Sequence, residues 1–429
     1  LGTDAVAAVS ISFPIIFLII SMGAGIAIAG TILVAQFAGK EDINSVNHIS
    51  SQTYLIVLII SAILGAIGYF ITPYMIDLMT DDMKVYPMAV SYMEISFLGI
   101  VFMFAYMVFQ SLFRGVGNVK TPMLIVFGTV LLNLVLDPLF ILGYGPVPAM
   151  GVAGAAISTI IAQGIAALIG VILLMTGKYG IKLSYKEFKP DFALIKQMIN
   201  LGLPASIEQS TRALGIAVMT LLVTTFGTLT VAAYGIGTRI LIFIIIPAMG
   251  LSMATSTLVG QNIGAGKIER AEKITRLSTL TGFIALTIVG IITFIFARQI
   301  TTIFLPGEYA TIEMSTYYIR IMALTFGFIA IQMTINGTFS GSGNTMITMV
   351  LAIVSLWVLR FPLAYILSKH TNLAEVGLWI AFPISNVLGA VITYLWFKKG
   401  TWKSKSLTDE IKHAEATLEE TIIESSGME

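Results

Sequence analysis

Apolar runs of about twenty residues or more follow one another along nearly the whole chain, separated by short polar or charged stretches. Eleven can be marked, at roughly 6–36, 54–80, 88–113, 121–143, 151–176, 195–226, 229–260, 278–305, 313–339, 345–368 and 374–397. At ~1.5 Å of rise per residue, each is long enough as a helix to cross the ~30 Å hydrocarbon core of a bilayer. Strands of a membrane barrel would alternate apolar and polar positions over about ten residues between polar turns. Nothing here alternates that way. The pattern predicts an all-α integral membrane protein with eleven transmembrane helices in this chain.

The pattern also repeats. Val6-Ala7-Ala8 … Gly25 … Leu33-Val34-Ala35-Gln36 returns as Val231-Ala232-Ala233 … Gly250 … Leu258-Val259-Gly260-Gln261. Phe113-Arg114-Gly115-Val116-Gly117-Asn118 returns as Phe339-Ser340-Gly341-Ser342-Gly343-Asn344. The offset stays near 225 residues for both pairs, so chance similarity between apolar segments is a poor explanation. Long-period duplication in so apolar a chain is the construction of secondary transporters, two pseudo-symmetric bundles around a central cavity. The expected divisions are an N-lobe at 1–176, a basic linker at 177–194, a C-lobe at 195–400 and a charged tail at 401–429. The second half places a helix ahead of its Val-Ala-Ala box and the first half shows no counterpart. The expectation is one further amino-terminal helix, making six plus six.

Composition agrees: 57% of residues are hydrophobic and 11% charged, against the roughly 25% charged of soluble domains. Charge is sorted by side. Taking alternate loops, Lys40, Arg114, Lys120, the lysines from 178 to 196, the Lys267–Arg276 cluster and those from Lys398 onward fall on one side, and only Lys84 and Lys369 on the other. The positive-inside rule makes the first side cytoplasmic, with the C-terminus on it, in a multi-pass protein of the cell membrane. The basic residues flank helices and are not interleaved with aromatics on one face, so nucleic acid is not an expected partner. There is no cysteine, which removes disulfides and thiolate metal sites. The three histidines fall in loops or tail, so no catalytic metal centre is expected.

The two boxes, together with Asn133-Leu134-Val135-Leu136-Asp137-Pro138, Gly151-Val152-Ala153-Gly154-Ala155-Ala156-Ile157-Ser158-Thr159 and Gly202-Leu203-Pro204, resemble the MATE family of multidrug and toxic compound extrusion transporters. The similarity runs in order over about 1–400. It implies two six-helix lobes forming a V, alternating access, and efflux of cationic or amphipathic compounds in exchange for Na⁺ or H⁺.

An ionisable group inside an apolar segment costs roughly 2.5–3.5 kcal/mol on insertion scales, so each is a functional candidate. Asn133 and Asp137 are four residues apart and share a helical face. Pro138 lacks an N–H and frees a carbonyl one turn back. A carboxylate, an amide oxygen and loosened carbonyls suit a proton or a hard cation. The plainer alternative is that Asp137 only satisfies a kink or pairs with an arginine. Resemblance to the family implies that Asn133, Asp137 and Thr159 match its N-lobe cation site, which also takes an Asp from the first helix that this chain lacks. Gln110, Gln163 and Glu208 are candidates for the substrate cavity. Gln110 has a helix–helix hydrogen bond as its alternative, and Glu208 an intrahelical pair with Arg212 one turn on. Pro14 and Pro138 are candidate helix-bending points. The Gly-x-Gly-Asn boxes lack the strand and Lys-Ser/Thr of a phosphate-binding loop.

The expected function is a secondary antiporter and not an enzyme. It takes drugs or metabolites as partners within the bilayer, works as a monomer, and has no cofactor beyond the coupling H⁺ or Na⁺ at Asp137. A lipid-linked oligosaccharide or polysaccharide flippase of the same superfamily is the alternative, and would need Arg212, Arg239, Arg320 and Arg360 to converge on one basic cavity. An integral membrane enzyme is the remote alternative.

Overall fold

A computed structural model of the chain describes residues 2–304, 307–403 and 407. Helices dominate, and the only strand-type pairing among the described residues is an isolated bridge between Tyr144 and Val147. The expectations for 404–429 lie outside the described residues, Leu407 excepted.

The chain divides into two compact units, Leu1–Ser206 and Ile207–Leu407. The first contains α1 (Thr3–Gly39), α2 (Ile43–Asp77), α3 (Val85–Gly115), α4 (Lys120–Leu142), α5 (Gly151–Thr176) and the start of α6 (Phe192–Thr224). The division falls within α6, just after Pro204. The second unit continues through α7 (Thr228–Gly264), α8 (Ile268–Ile295), α9 (Ala297–Phe304), α10 (Tyr309–Ala323), α11 (Phe326–Gly341) and α12 (Thr345–Ile353). A π-helical stretch (Val354–Arg360), α13 (Phe361–Lys369) and α14 (Glu375–Lys398) complete it.

Nine helices among the described residues are long and apolar enough to cross a bilayer, or ten if α10 and α11, bent by 50°, count as one span. The eleventh expected run, 195–226, forms α6 but is not among them. The polar run from Glu208 to Arg212 in its middle is the physical reason. The 313–339 run, read as one helix, is instead broken at Leu324 and Thr325.

The duplication is structural. Helices α1 and α7 both span 37 residues, and both ends are displaced by 225 positions. The Gly-x-Gly-Asn boxes prove to be helix C-caps. Asn118 N–H donates to Phe113 and Gly117 N–H to Arg114, and Asn344 and Gly343 repeat this with Phe339 and Ser340. This is the paired bonding of a Schellman motif, with its glycine in the left-handed region at φ 85° and 81°. The glycines that open the boxes serve packing. A methyl on Gly115 would lie 3.2 Å from the Thr31 carbonyl oxygen, and one on Gly341 would lie 2.2 Å from that of Ser256. Thr31 and Ser256 are themselves 225 apart, so α3 seats on α1 and α11 on α7 in the same register.

The 177–194 linker is pinned to α2 by side chains spaced along one face. Asn47 Oδ1 accepts Lys182 N–H at 2.6 Å, and Ser51 Oγ accepts Ser184 N–H at 3.3 Å. Gln52 Nε2 donates to the carbonyls of Glu187 and Lys189, while its Oε1 accepts Asp191 N–H. His48 reaches Glu187 at 2.6 Å and Asp191 at 3.1 Å, one carboxylate at each ring nitrogen; only the imidazolium donates to both. Asp191 also caps α6, accepting from Ala193 and Leu194. Burial pushes its carboxyl pKa up, but the backbone amides and the His48 ring outweigh that and hold it below the ordinary value.

Two outcomes follow from these contacts. Glu41 occupies the left-handed cap of α1 at φ 63°, where the repeat has Gly266 at φ 70°. Glu41→Gly is expected to raise unfolding stability by about 0.5–1 kcal/mol, checked by thermal unfolding in detergent. His48→Ala should speed hydrogen–deuterium exchange of the 181–191 amides about 5-fold at pH 7, the equivalent of ~1 kcal/mol. In the wild type, the Asp191 contribution is complete above the ordinary carboxylate pKa of 3.8 and is lost as the pH falls below it.

Candidate functional site

In the first unit the geometry brings Asn133 and Asp137 together. Asn133 Nδ2 donates to Asp137 Oδ1 at 3.1 Å across one turn of α4. A second helix completes the group: Ser158 Oγ of α5 donates to the same Oδ1 and lies 3.5 Å from Asn133 Nδ2. All three residues are half-buried or buried. Thr159, expected as the third oxygen, donates instead to its own helix at Ala155 O, 2.9 Å away, on an exposed face. The set in mutual contact is Asn133, Asp137 and Ser158.

Packing explains this arrangement. Gly154, Ser158, Ala162, Ala166 and Gly170 fall every four residues along α5 and form a stripe of small side chains that lets helices approach closely. A methyl on Gly154 would sit 2.4 Å from the Phe140 carbonyl oxygen of α4. That contact turns the Ser158 side of α5 onto α4, and Thr159, about 100° further round, away from it.

One carboxylate with amide and hydroxyl oxygens is a donor set for a proton or a hard monovalent cation. No group of three His, Cys, Asp or Glu suited to a metal exists among the described residues. Helices α1 and α4 run unbroken through Pro14 and Pro138. Gln110 is half-buried on α3. Gln163 is half-buried on α5, five residues past Ser158 and therefore on a different face.

The second unit has a charged centre at Arg360. Arg360 ends the π-helical stretch, in which Phe361 N–H reaches Leu356 O, five residues back. Pro362 follows and lacks an N–H for the ordinary ladder, and π-bulges often mark functional positions. Arg360 Nε donates to Ser385 Oγ at 3.0 Å and Nη2 to Asn386 Oδ1 at 2.6 Å, both on α14. Asn386 in turn donates to Thr325 Oγ1 at 3.2 Å, at the break between α10 and α11. The guanidinium lies 4.9 Å from the centroid of the Phe382 ring, a cation–π contact. Glu208 pairs with Arg212 at 2.9 Å within α6, its plainer reading. Arg320 turns to the Phe294 ring and carbonyl, and Arg239 is exposed. Arg212, Arg320 and Arg360 thus each make contacts of their own.

A model of the MatE family matches residues 1–139 and 204–366. The chain belongs to the MATE family. Among its relatives is the probable multidrug resistance protein YoeA of Bacillus subtilis, 28% identical over 411 residues, covering 95% of this chain and 88% of the relative. Another is described as an FAD transporter in Shewanella oneidensis, 26% identical over 394 residues, covering 92% and 86%. The crystal structure of a MATE protein in complex with MaL6 superimposes with a TM-score of 0.88 at 23% identity, covering 93% of this chain and 88% of that one. The MATE fold expected from the boxes is thus present, and the chain is a multi-span membrane protein.

For this MATE chain the hydroxyl of Ser158 is the contact that sequence reasoning missed, and its four-residue spacing from Gly154 is the signal that could have found it. Ser158→Ala is expected to lower unfolding stability by about 1.5 kcal/mol, the worth of a hydrogen bond to a charged group, and Thr159→Ala by less than about 0.5 kcal/mol. Denaturation in detergent checks both.

Proposed function

We propose that the protein is a cation-coupled efflux antiporter of amphipathic organic compounds, in which Asp137 takes up H⁺ or Na⁺ and works by alternating access in the cell membrane. The observation that carries this is the Asn133–Asp137–Ser158 cluster, which gathers a carboxylate and two neutral polar groups inside two apolar spans. Family membership supports transport over catalysis, and the multidrug resistance relatives support drug-like cargo.

In this reading Asn133 and Ser158 both donate to the ionised carboxylate. A cation entering the site must reorganise them, since Na⁺ needs their lone pairs, and a proton turns Asp137 itself into a donor. Binding is thereby tied to the local arrangement of α4 and α5. Only a difference in cation affinity between the two conformations of the cycle can perform coupling. One charge falling through 100 mV supplies about 2.3 kcal/mol, enough for roughly a 40-fold gradient of a neutral compound at one-to-one exchange.

The reading is tested in reconstituted vesicles loaded with a fluorescent amphipathic dye, under imposed Na⁺ or pH gradients. The gradient that drives efflux identifies the coupling ion. Asp137→Asn is expected to reduce gradient-driven efflux at least about tenfold. Efflux that survives the substitution refutes the role of Asp137.

A further inference from the structure

Arg360 is a charge that the cation site leaves unexplained. A guanidinium carries five N–H donors, and only two of them are engaged here, by the neutral acceptors Ser385 and Asn386. Arg360 is in none of the ion pairs found among the described residues, and Arg212 is committed to Glu208. A positive charge in an apolar span without a counter-ion is costly, and such residues persist where they are used.

The space next to that charge has a definite character. Arg360 lines a pocket within the second unit together with Gly215, Met219, Tyr234, Trp357, Phe361 and Phe382. Four of its nine companions are aromatic. The pocket's space is about 40 Å³, the size of an acid group and well short of the ~300–1,000 Å³ of a site that encloses a whole organic ligand. The guanidinium fork fits a carboxylate or phosphate with two parallel hydrogen bonds.

The internal repeat sets Arg360 one turn from the counterpart of Asp137. Gly154 abuts the Phe140 carbonyl as Gly377 abuts the Leu367 carbonyl, a shared register that puts Asp137 opposite Ala364, Ser158 opposite Ala381 and Asn133 opposite Arg360. The second unit therefore has no acid at the place of Asp137, and its charge is the arginine one turn before.

We propose that this pocket binds the anionic group, carboxylate or phosphate, of an aromatic organic ligand, with Arg360 on the acid and Tyr234, Trp357, Phe361 and Phe382 against the rings. Arg360 disfavours a cation in the same place. This names the substrate class and so rests on the transport reading for the ligand to be cargo, but not for it to bind.

The test is equilibrium binding, measured by calorimetry on the purified full chain in phosphatidylcholine nanodiscs with no gradient imposed. The probes are 2-naphthoate and its neutral isostere 2-naphthalenemethanol. Naphthoate is expected to bind at least tenfold more tightly, and Arg360→Gln to abolish that preference while Arg360→Lys restores part of it. Equal affinities in the wild type, or a preference that survives Arg360→Gln, overturn the proposal. Should Arg360→Gln fail to fold, Gly215→Val serves instead. It narrows the pocket from a position where the first added carbon meets Leu356 at an ordinary 3.4 Å. A tenfold loss of naphthoate affinity supports the site, and an unchanged affinity overturns it. Replacing part of the lipid with phosphatidylglycerol separates the possible sources of the anion. Naphthoate binding that weakens in proportion assigns the site to a lipid headgroup and overturns the aromatic class. Because the readout is binding, a failure here is distinct from a failure of gradient-driven efflux.

Discussion

The hydrocarbon interior offers no water, so every polar group carried into it must find its partner within the protein. That constraint shapes this chain at each level. It makes the spans helical, because a helix satisfies its backbone internally. It sends Ser and Thr hydroxyls back to carbonyls one turn away, as Ser12, Ser50, Thr72 and Thr255 do. It also makes the charges that remain inside informative. Asp137 and Arg360 are kept among apolar helices by short-range polar contacts that position each charge without neutralising it.

The repeat preserves what the backbone needs: helix lengths, Schellman caps, and close approaches such as Gly115 on Thr31 and Gly341 on Ser256. It leaves side-chain chemistry free to diverge. In the register set by Gly154 on Phe140 and Gly377 on Leu367, Asp137 becomes Ala364 and Asn133 becomes Arg360. The first unit keeps a regular α-helix through Pro138, and the second accommodates Pro362 with a π-helical stretch. Each charge is met by a serine from the helix that follows, at positions one turn apart in the repeat.

Much of this was legible in the sequence because membrane helices are governed by length, composition and repetition. The apolar runs located the helices, and the offset of the boxes predicted the 225-residue displacement of α1 and α7. The spacing of Asn133 and Asp137 announced their contact. What escaped depended on helix rotation and on breaks. Ser158 and Thr159 are neighbours in sequence, and only the close approach at Gly154 decides between them. The α10–α11 break involves no proline, and its Thr325 is held by Asn386 from 61 positions away. The docking of the linker through Asn47, His48, Ser51 and Gln52 reads in sequence as an ordinary polar helix start.

The opposite signs at Asp137 and Arg360 have an energetic consequence once the two assignments are taken together. One-to-one exchange of a monovalent cation for a cationic compound moves no net charge, so only the chemical gradient of the ion drives it. Exchange of an entering cation for a leaving monovalent anion moves two charges in the same electrical sense. At 100 mV, inside negative, that is about 4.6 kcal/mol from the potential alone, roughly a two-thousandfold gradient. Were Asp137 to take the entering cation and Arg360 the leaving anion, the membrane potential would assist both half-reactions.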